Sequence, residues 1–264
     1  MSIGTITTGD HCRIAWEADG AEGAPVVILS NSLGTARTMW EPQVPTLADR
    51  LRVIRYDTRG HGKSDAPEGA YSIDRLGRDV LELADGLDIA TFSFCGLSLG
   101  GMVGQWLGWR APERIDRLVI ANSSPFMGPP SGWDARIDVV RKQGMAAMAD
   151  PVLERWFTPA FRGDPANVSA AREMLLATSP MGYVGCCAAI RDMDMRPTLS
   201  LIRAPTLIIG GSADPVTPPE HSRLLSDGIQ GAACVMLDAA HLSNREQPGA
   251  FNAAVIAHLA AAPM

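Results

Sequence analysis

No run of 18 apolar residues occurs anywhere in the 264-residue chain, so a membrane-spanning helix is not expected. The stretch from Met1 to Trp16 also lacks the basic start, apolar stretch and small-residue cleavage pattern of a secretory leader, and a cytoplasmic protein is expected. Cysteine is scarce: five residues, at positions 12, 95, 186, 187 and 234, odd in number and without C-x-x-C spacing. That pattern supports neither a disulfide framework nor a zinc site, and the adjacent Cys186 and Cys187 read as reduced packing thiols. An excess of positive charge is missing too. The formal net charge is -6, which argues against nucleic acid or an anionic membrane surface as a partner, since either calls for a basic patch. Tandem repeats and low-complexity segments are absent as well.

What the chain does contain is an alternation of short apolar runs and helical patterns. Ile3 to Thr7 and Cys12 to Trp16, separated by Gly9-Asp10, read as an antiparallel hairpin. Val26 to Leu29, Leu51 to Tyr56, Phe92 to Cys95, Arg117 to Asn122, Thr206 to Gly210 and Ala233 to Leu237 follow as strands. Several of these are continuously apolar, as strands covered on both faces are. Helical spacing lies between them: Trp40, Val44 and Leu47; Ile73 to Leu87 with Ser72 as N-cap; Met102 to Trp109; His221 to Ile229; and Pro248 to Leu259. Strands alternating with helices imply a mostly parallel sheet with helices on both faces. From Pro125 to Arg196 the alternation stops and only helical segments appear. Residues 125–196 are therefore expected to form a helical cap inserted into an α/β core of residues 1–124 and 197–264. The insertion holds eight basic and eight acidic residues, so the whole net charge falls on the core, and the insertion also holds seven of the twelve methionines. Methionine adapts to irregular cavities, although ordinary packing is the simpler role for each.

The chemistry centres on Gly96-Leu97-Ser98-Leu99-Gly100, where the strand ending at Cys95 turns abruptly into a helix. A serine held at such a turn, with glycines two residues to either side, is exposed as a nucleophile beside a helix N-terminus. Its hydroxyl needs a base, and the base needs a carboxylate to fix its tautomer and stabilise its cation. In an open parallel sheet the reacting groups gather beyond the carboxyl ends of strands. Asp214 follows Thr206 to Gly210, and His241 follows Cys234 to Leu237. Asp238 is a rival acid but stands only three residues before His241, where capping the strand end is its simpler role. His11, His61, His221 and His258 fall in a hairpin, a Gly-rich turn and two helices. Asp57 and Arg59, after the strand ending at Tyr56, read as structural. Two amides are expected to hold the oxyanion: Leu99 N–H, directly after the nucleophile, and Leu33 N–H, in the loop Asn31-Ser32-Leu33-Gly34.

These residues carry a resemblance. The chain is similar to the α/β-hydrolase superfamily and, within it, to the bacterial 3-oxoadipate enol-lactonases. The likeness rests on Asn-Ser-Leu-Gly at 31, Arg-Tyr-Asp-Thr-Arg-Gly-His-Gly at 55, Gly-Leu-Ser-Leu-Gly-Gly-Met at 96, Glu-Arg-Trp-Phe-Thr-Pro at 154, Gly-Tyr at 182, Ala-Ile-Arg-Asp-Met-Asp at 189 and Ala-Ala-His-Leu-Ser-Asn at 239. It implies hydrolysis of 3-oxoadipate enol-lactone to 3-oxoadipate in bacterial aromatic catabolism, by an acyl-enzyme on Ser98, with no metal and no organic cofactor. The implied substrate is a small anionic lactone, and Trp133, Arg136, Tyr183 and Arg191 are the cap residues expected to read its carboxylate. A carboxylesterase, a cofactor-free haloperoxidase or a carbon-carbon bond hydrolase would use the same triad. A non-catalytic receptor on this fold is a further alternative, against which the intact triad argues. The sequence neither requires nor excludes a homo-oligomer.

Overall fold

Eight strands form one sheet in the computed structural model, which describes residues 1–260. They are β1 (Ser2–Thr7), β2 (Arg13–Asp19), β3 (Val26–Ser30), β4 (Arg52–Tyr56), β5 (Phe92–Leu97), β6 (Ile115–Ala121), β7 (Thr206–Gly211) and β8 (Ala233–Leu237). Their order across the sheet is β1-β2-β4-β3-β5-β6-β7-β8. β1 pairs with β2, and β2 with β4, antiparallel; every later pairing is parallel. The continuous apolar runs follow from this arrangement, because central strands such as β5 and β7 are covered on both faces. β8, at the edge, is exposed along most of its length.

The helices are α1 (Val44–Ala48), α2 (Ile73–Gly86), α3 (Leu99–Arg110), α4 (Pro130–Gln143), α5 (Ala149–Trp156), α6 (Pro159–Arg162), α7 (Pro165–Ala177), α8 (Pro180–Asp192), α9 (Pro219–Gly228), α10 (Ser243–Glu246) and α11 (Pro248–Leu259). Each parallel crossover returns the chain to the same end of the sheet, so the carboxyl ends of β3, β5, β6, β7 and β8 point the same way. The loops that follow those strands therefore converge there. α2 starts as the sequence indicates: the Ser72 side chain accepts the Arg75 amide at 3.1 Å. Such a cap stabilises a helix by about 1 kcal/mol. The single helix expected through Trp40, Val44 and Leu47 is instead a 3-10 turn at Arg37–Trp40 followed by the short α1. Pro42 and Pro45 remove two amide donors from any continuous helix across that stretch.

Between β6 and β7 the chain contributes α4 to α8 and no strand of the sheet. The two ends of this segment meet, with Phe126 bridged to Asp194 and Met195 N–H donating to the Pro125 carbonyl at 2.8 Å. It is joined to the core elsewhere by Tyr71 N–H to the Gly185 carbonyl (3.0 Å) and Leu242 N–H to the Trp156 carbonyl (2.9 Å). No single helix among the described residues is long and apolar enough to cross a membrane; α7 and α8 reach that length only together, bent by 94°.

Candidate active site

Ser98 joins β5 to α3 with φ +57° and ψ -112°, a conformation that a residue with a Cβ adopts only under constraint. Its surroundings supply that constraint. Ser98 N–H donates to the Ala121 carbonyl (2.9 Å), and its carbonyl accepts from Met102 N–H (3.0 Å) and Ser123 Oγ (2.8 Å). The flanking glycines are required by close approach. A Cβ on Gly96 would lie 2.1 Å from the Gly100 carbonyl oxygen, and one on Gly100 would lie 2.2 Å from that of Ser30.

Asp214, after β7, and His241, after β8, are both buried. His241 Nδ1 lies 2.8 Å from Asp214 Oδ2, so Nδ1 carries the proton and Nε2 is left bare to act as a base. The carboxylate is saturated with donors: Oδ1 accepts the amides of Val216 (2.8 Å) and Thr217 (3.0 Å), and Oδ2 also accepts Thr217 Oγ1 (2.7 Å) and Asn122 Nδ2 (3.0 Å). Burial pushes the Asp214 pKa up, but the His241 charge and the hydrogen bonds from His241, Asn122 and Thr217 outweigh it and hold the group at about 2. The histidine loop is pinned on both sides of the ring. Ala240 N–H donates to Glu246 Oε2 (2.9 Å), and Leu242 N–H reaches Trp156 on α5.

Leu33 lines the same cleft as Ser98 and His241. In its loop Ser32 N–H meets Met39 Sδ, Thr35 N–H meets the Ser32 carbonyl and Gly34 N–H meets His61; among the described residues Leu33 N–H has no partner in the protein. Leu99 N–H opens α3, where no intrahelical carbonyl is available to it. Two free amides flanking a serine can stabilise a tetrahedral oxyanion.

The opposite wall of the cleft comes from α4, α5 and α8, and its water-accessible space is only about 30 Å³. Trp133, Arg136 and Tyr183 line it, and Tyr183 is fully buried. The Arg136 guanidinium lies over the Trp133 ring at 5.0 Å and 3.4 Å from the Tyr183 hydroxyl. Arg191 does not belong to this set, which corrects the expectation from sequence. It lies away from the cleft, paired with Asp134 (2.8 Å) and Asp192 (2.7 Å), and its charge is already compensated. Arg155 takes its place. It lines the cleft from α5, donates through Nε to the Pro151 carbonyl (3.1 Å), and burial together with the charge of Arg136 pushes its pKa down. Neither cleft arginine has a carboxylate partner among the described residues. Asn122, Thr217 and Glu246 were also not singled out from sequence, although Asn122 directly follows the apolar run of β6. Asp57 and Arg59 are engaged in buried ion pairs with Arg37 and Asp79 and do not line the cleft. No group of three or more His, Cys, Asp or Glu among the described residues is arranged to hold a metal ion.

An elbow serine, an Asp-supported histidine and a helical segment closing over them on this strand order define a hydrolase of the α/β-hydrolase fold. The profile of that fold matches residues 25–143. A 3-oxoadipate enol-lactonase of Acinetobacter baylyi is 44% identical over 252 residues, covering 95% of this chain and 94% of its own. A crystal structure of the enol-lactonase from Burkholderia xenovorans has a TM-score of 0.95 at 41% identity, covering 98% of this chain and all of that one. A structure of a hydrolase from Pseudomonas aeruginosa has the same TM-score at 47% identity, with 98% of each chain covered. The chain belongs to the 3-oxoadipate enol-lactonase family.

Proposed function

We propose that the protein hydrolyses 3-oxoadipate enol-lactone to 3-oxoadipate in the bacterial breakdown of aromatic compounds. One observation carries the choice of substrate: the cleft that holds Ser98 and His241 also holds two arginines without carboxylate partners, Arg136 and Arg155. A lactone that carries its own carboxylate supplies the missing charge. His241 Nε2 takes the Ser98 proton as Oγ attacks the lactone carbonyl, and the Leu33 and Leu99 amides hold the oxyanion. Collapse breaks the ring C–O bond as the His241 imidazolium returns its proton to the departing oxygen, and the resulting enol becomes the 3-oxo group. Water deprotonated by His241 then clears the acyl-enzyme, and Asp214 stabilises the imidazolium in both halves. Trp133 and Tyr183 hold Arg136 in place. Each step uses side chains and amides of the chain itself. We assign the protein to the cytoplasm, a reading supported by its five free cysteines.

The test compares kcat/KM for the enol-lactone and for p-nitrophenyl acetate in wild type and Ser98→Ala. The expected result is a strong preference for the lactone, with kcat lost by a factor of about 10⁴ or more in the variant. Efficient turnover of the neutral ester with none of the lactone would leave the serine mechanism standing and remove the substrate.

A further inference from the structure

His61 is a buried, titratable side chain with no part in the chemistry above, yet both of its ring nitrogens are occupied. Nε2 accepts the Gly34 N–H at 2.9 Å, so it is unprotonated, and Nδ1 therefore carries the hydrogen and faces the Arg59 carbonyl at 3.2 Å. Arg59 is fixed in turn, with Nε and Nη2 each 2.6 Å from Asp79 and Nη1 2.8 Å from Asp10. The ring thus stands as a post between a buried ion-pair cluster and the loop that contains Leu33. Burial pushes its pKa down, which favours the neutral form that this arrangement needs.

The consequence follows from peptide planarity. The N–H of Leu33 lies in the plane that contains the Ser32 carbonyl, and a trans peptide points the two in opposite directions. That carbonyl is held by Thr35, through N–H at 3.2 Å and Oγ1 at 2.8 Å. The next plane contains Gly34 N–H, and it precedes the most permissive residue of the loop: Gly34 has φ +80° and no Cβ to restrict rotation. His61 holds this second plane. Without that bond the Leu33 N–H would be fixed from one side alone, through the Thr35 contacts to the preceding plane, and the loop could shift about Gly34.

We propose that His61 is a positioning residue of the oxyanion hole, acting on the Leu33 amide through its hydrogen bond to Gly34. This rests on the serine mechanism proposed above but not on the identity of the lactone, so p-nitrophenyl acetate serves as substrate. Two half-mimics of the imidazole separate its two bonds. In His61→Gln the amide oxygen reaches the place of Nε2 and can still accept the Gly34 N–H; in His61→Asn the side chain ends at the place of Nδ1 and cannot. His61→Asn is expected to lower kcat by roughly ten- to a hundredfold, below the full loss of one donor, with KM within about twofold. An alkyl boronic acid, whose tetrahedral adduct with Ser98 places an oxygen in the hole, should lose affinity by the same factor. His61→Gln should recover most of both. Thr35→Val loosens the first plane without touching the histidine, and the same selective loss of kcat is expected there. Equal losses in the Gln and Asn variants, boronate affinity unchanged while kcat falls, or wild-type turnover in His61→Asn or in Thr35→Val would each overturn the proposal. Retained turnover in Ser98→Ala would instead remove the mechanism on which it rests.

Discussion

The two walls of the cleft are built on different terms. On the core side Ser98, Asp214 and His241 each follow a parallel strand, and Asp214 accepts five hydrogen bonds. What that side leaves open to the cleft includes the Leu33 and Leu99 amides, the Ser98 hydroxyl and the histidine Nε2, the groups to which the proposed mechanism gives a role. On the helical side Arg136 and Arg155 are half-buried, mutually repelling and without carboxylates. A wall whose own charges are balanced holds a fixed geometry for making and breaking bonds, because its dipoles need no reorganisation as charge develops. A wall with unbalanced charge favours an anionic occupant. The cleft is also narrow, with about 30 Å³ of water-accessible space, and the flexible side chains of Met102 and Met127 form part of its lining.

The sharpest way to break the core side is Asp214→Asn. An asparagine amide donates where the carboxylate accepts, so the His241 ring is expected to take the other tautomer and place its proton against Ser98. A loss of about 10⁴ in kcat, with KM changed by only a few-fold, is expected for every ester or lactone tested. A loss confined to the anionic substrate would contradict this division of labour. The helical side should fail differently. Arg155→Ala is expected to reduce kcat/KM for the enol-lactone by roughly ten- to a hundredfold, mainly through KM, the size of a lost hydrogen bond to a charged group. Turnover of neutral p-nitrophenyl acetate should stay within about twofold. Arg191→Ala is the control: its exposed ion pairs with Asp134 and Asp192 contribute little, and steady-state kinetics should match wild type. Equal damage from the Arg155 and Arg191 variants would show that the cleft arginine has no special part.

The same contrast governs how far the sequence could be read. Strands β3, β5, β6 and β7 stand out because a strand buried on both faces is apolar along most of its length, and α11 begins and ends where its pattern does. The site residues of the core were legible for a related reason. Topology puts reacting groups just after apolar runs, and that rule finds Ser98, Asp214 and His241 together. Applied once more, it points to Asn122, which directly follows β6 and supports Asp214. The helical side offers no comparable rule. Trp133, Arg136, Arg155 and Tyr183 come from three helices whose crossing decides which faces meet, and helical periodicity does not determine a crossing. Arg191 illustrates the cost: it stands beside Asp192, and that neighbouring carboxylate was a local sign that its charge is already balanced. Trp40 to Leu47 failed through turn chemistry, since spacing alone does not register two prolines.

The smallest effect concerns acid stability. The donors around Asp214 hold its pKa at about 2 in the folded chain, against 3.8 as the ordinary value. A group depressed on folding stabilises the native state at pH above its unfolded pKa, and the contribution disappears as pH falls through the folded value. The shift corresponds to about 2 kcal/mol, fully present at pH 5 and less than half retained at pH 2.5. Other carboxylates titrate over the same range, so wild type alone cannot isolate this one. The difference in unfolding free energy between wild type and Asp214→Asn can, because asparagine does not titrate. That difference, measured by urea at each pH, should shift against wild type by 1 to 2 kcal/mol, or about that, between pH 5 and pH 2.5. A pH-independent difference would mean that the hydrogen bonds to Asp214 stabilise its two protonation states equally, and the carboxylate would then not be the fixed charge on which the core side depends.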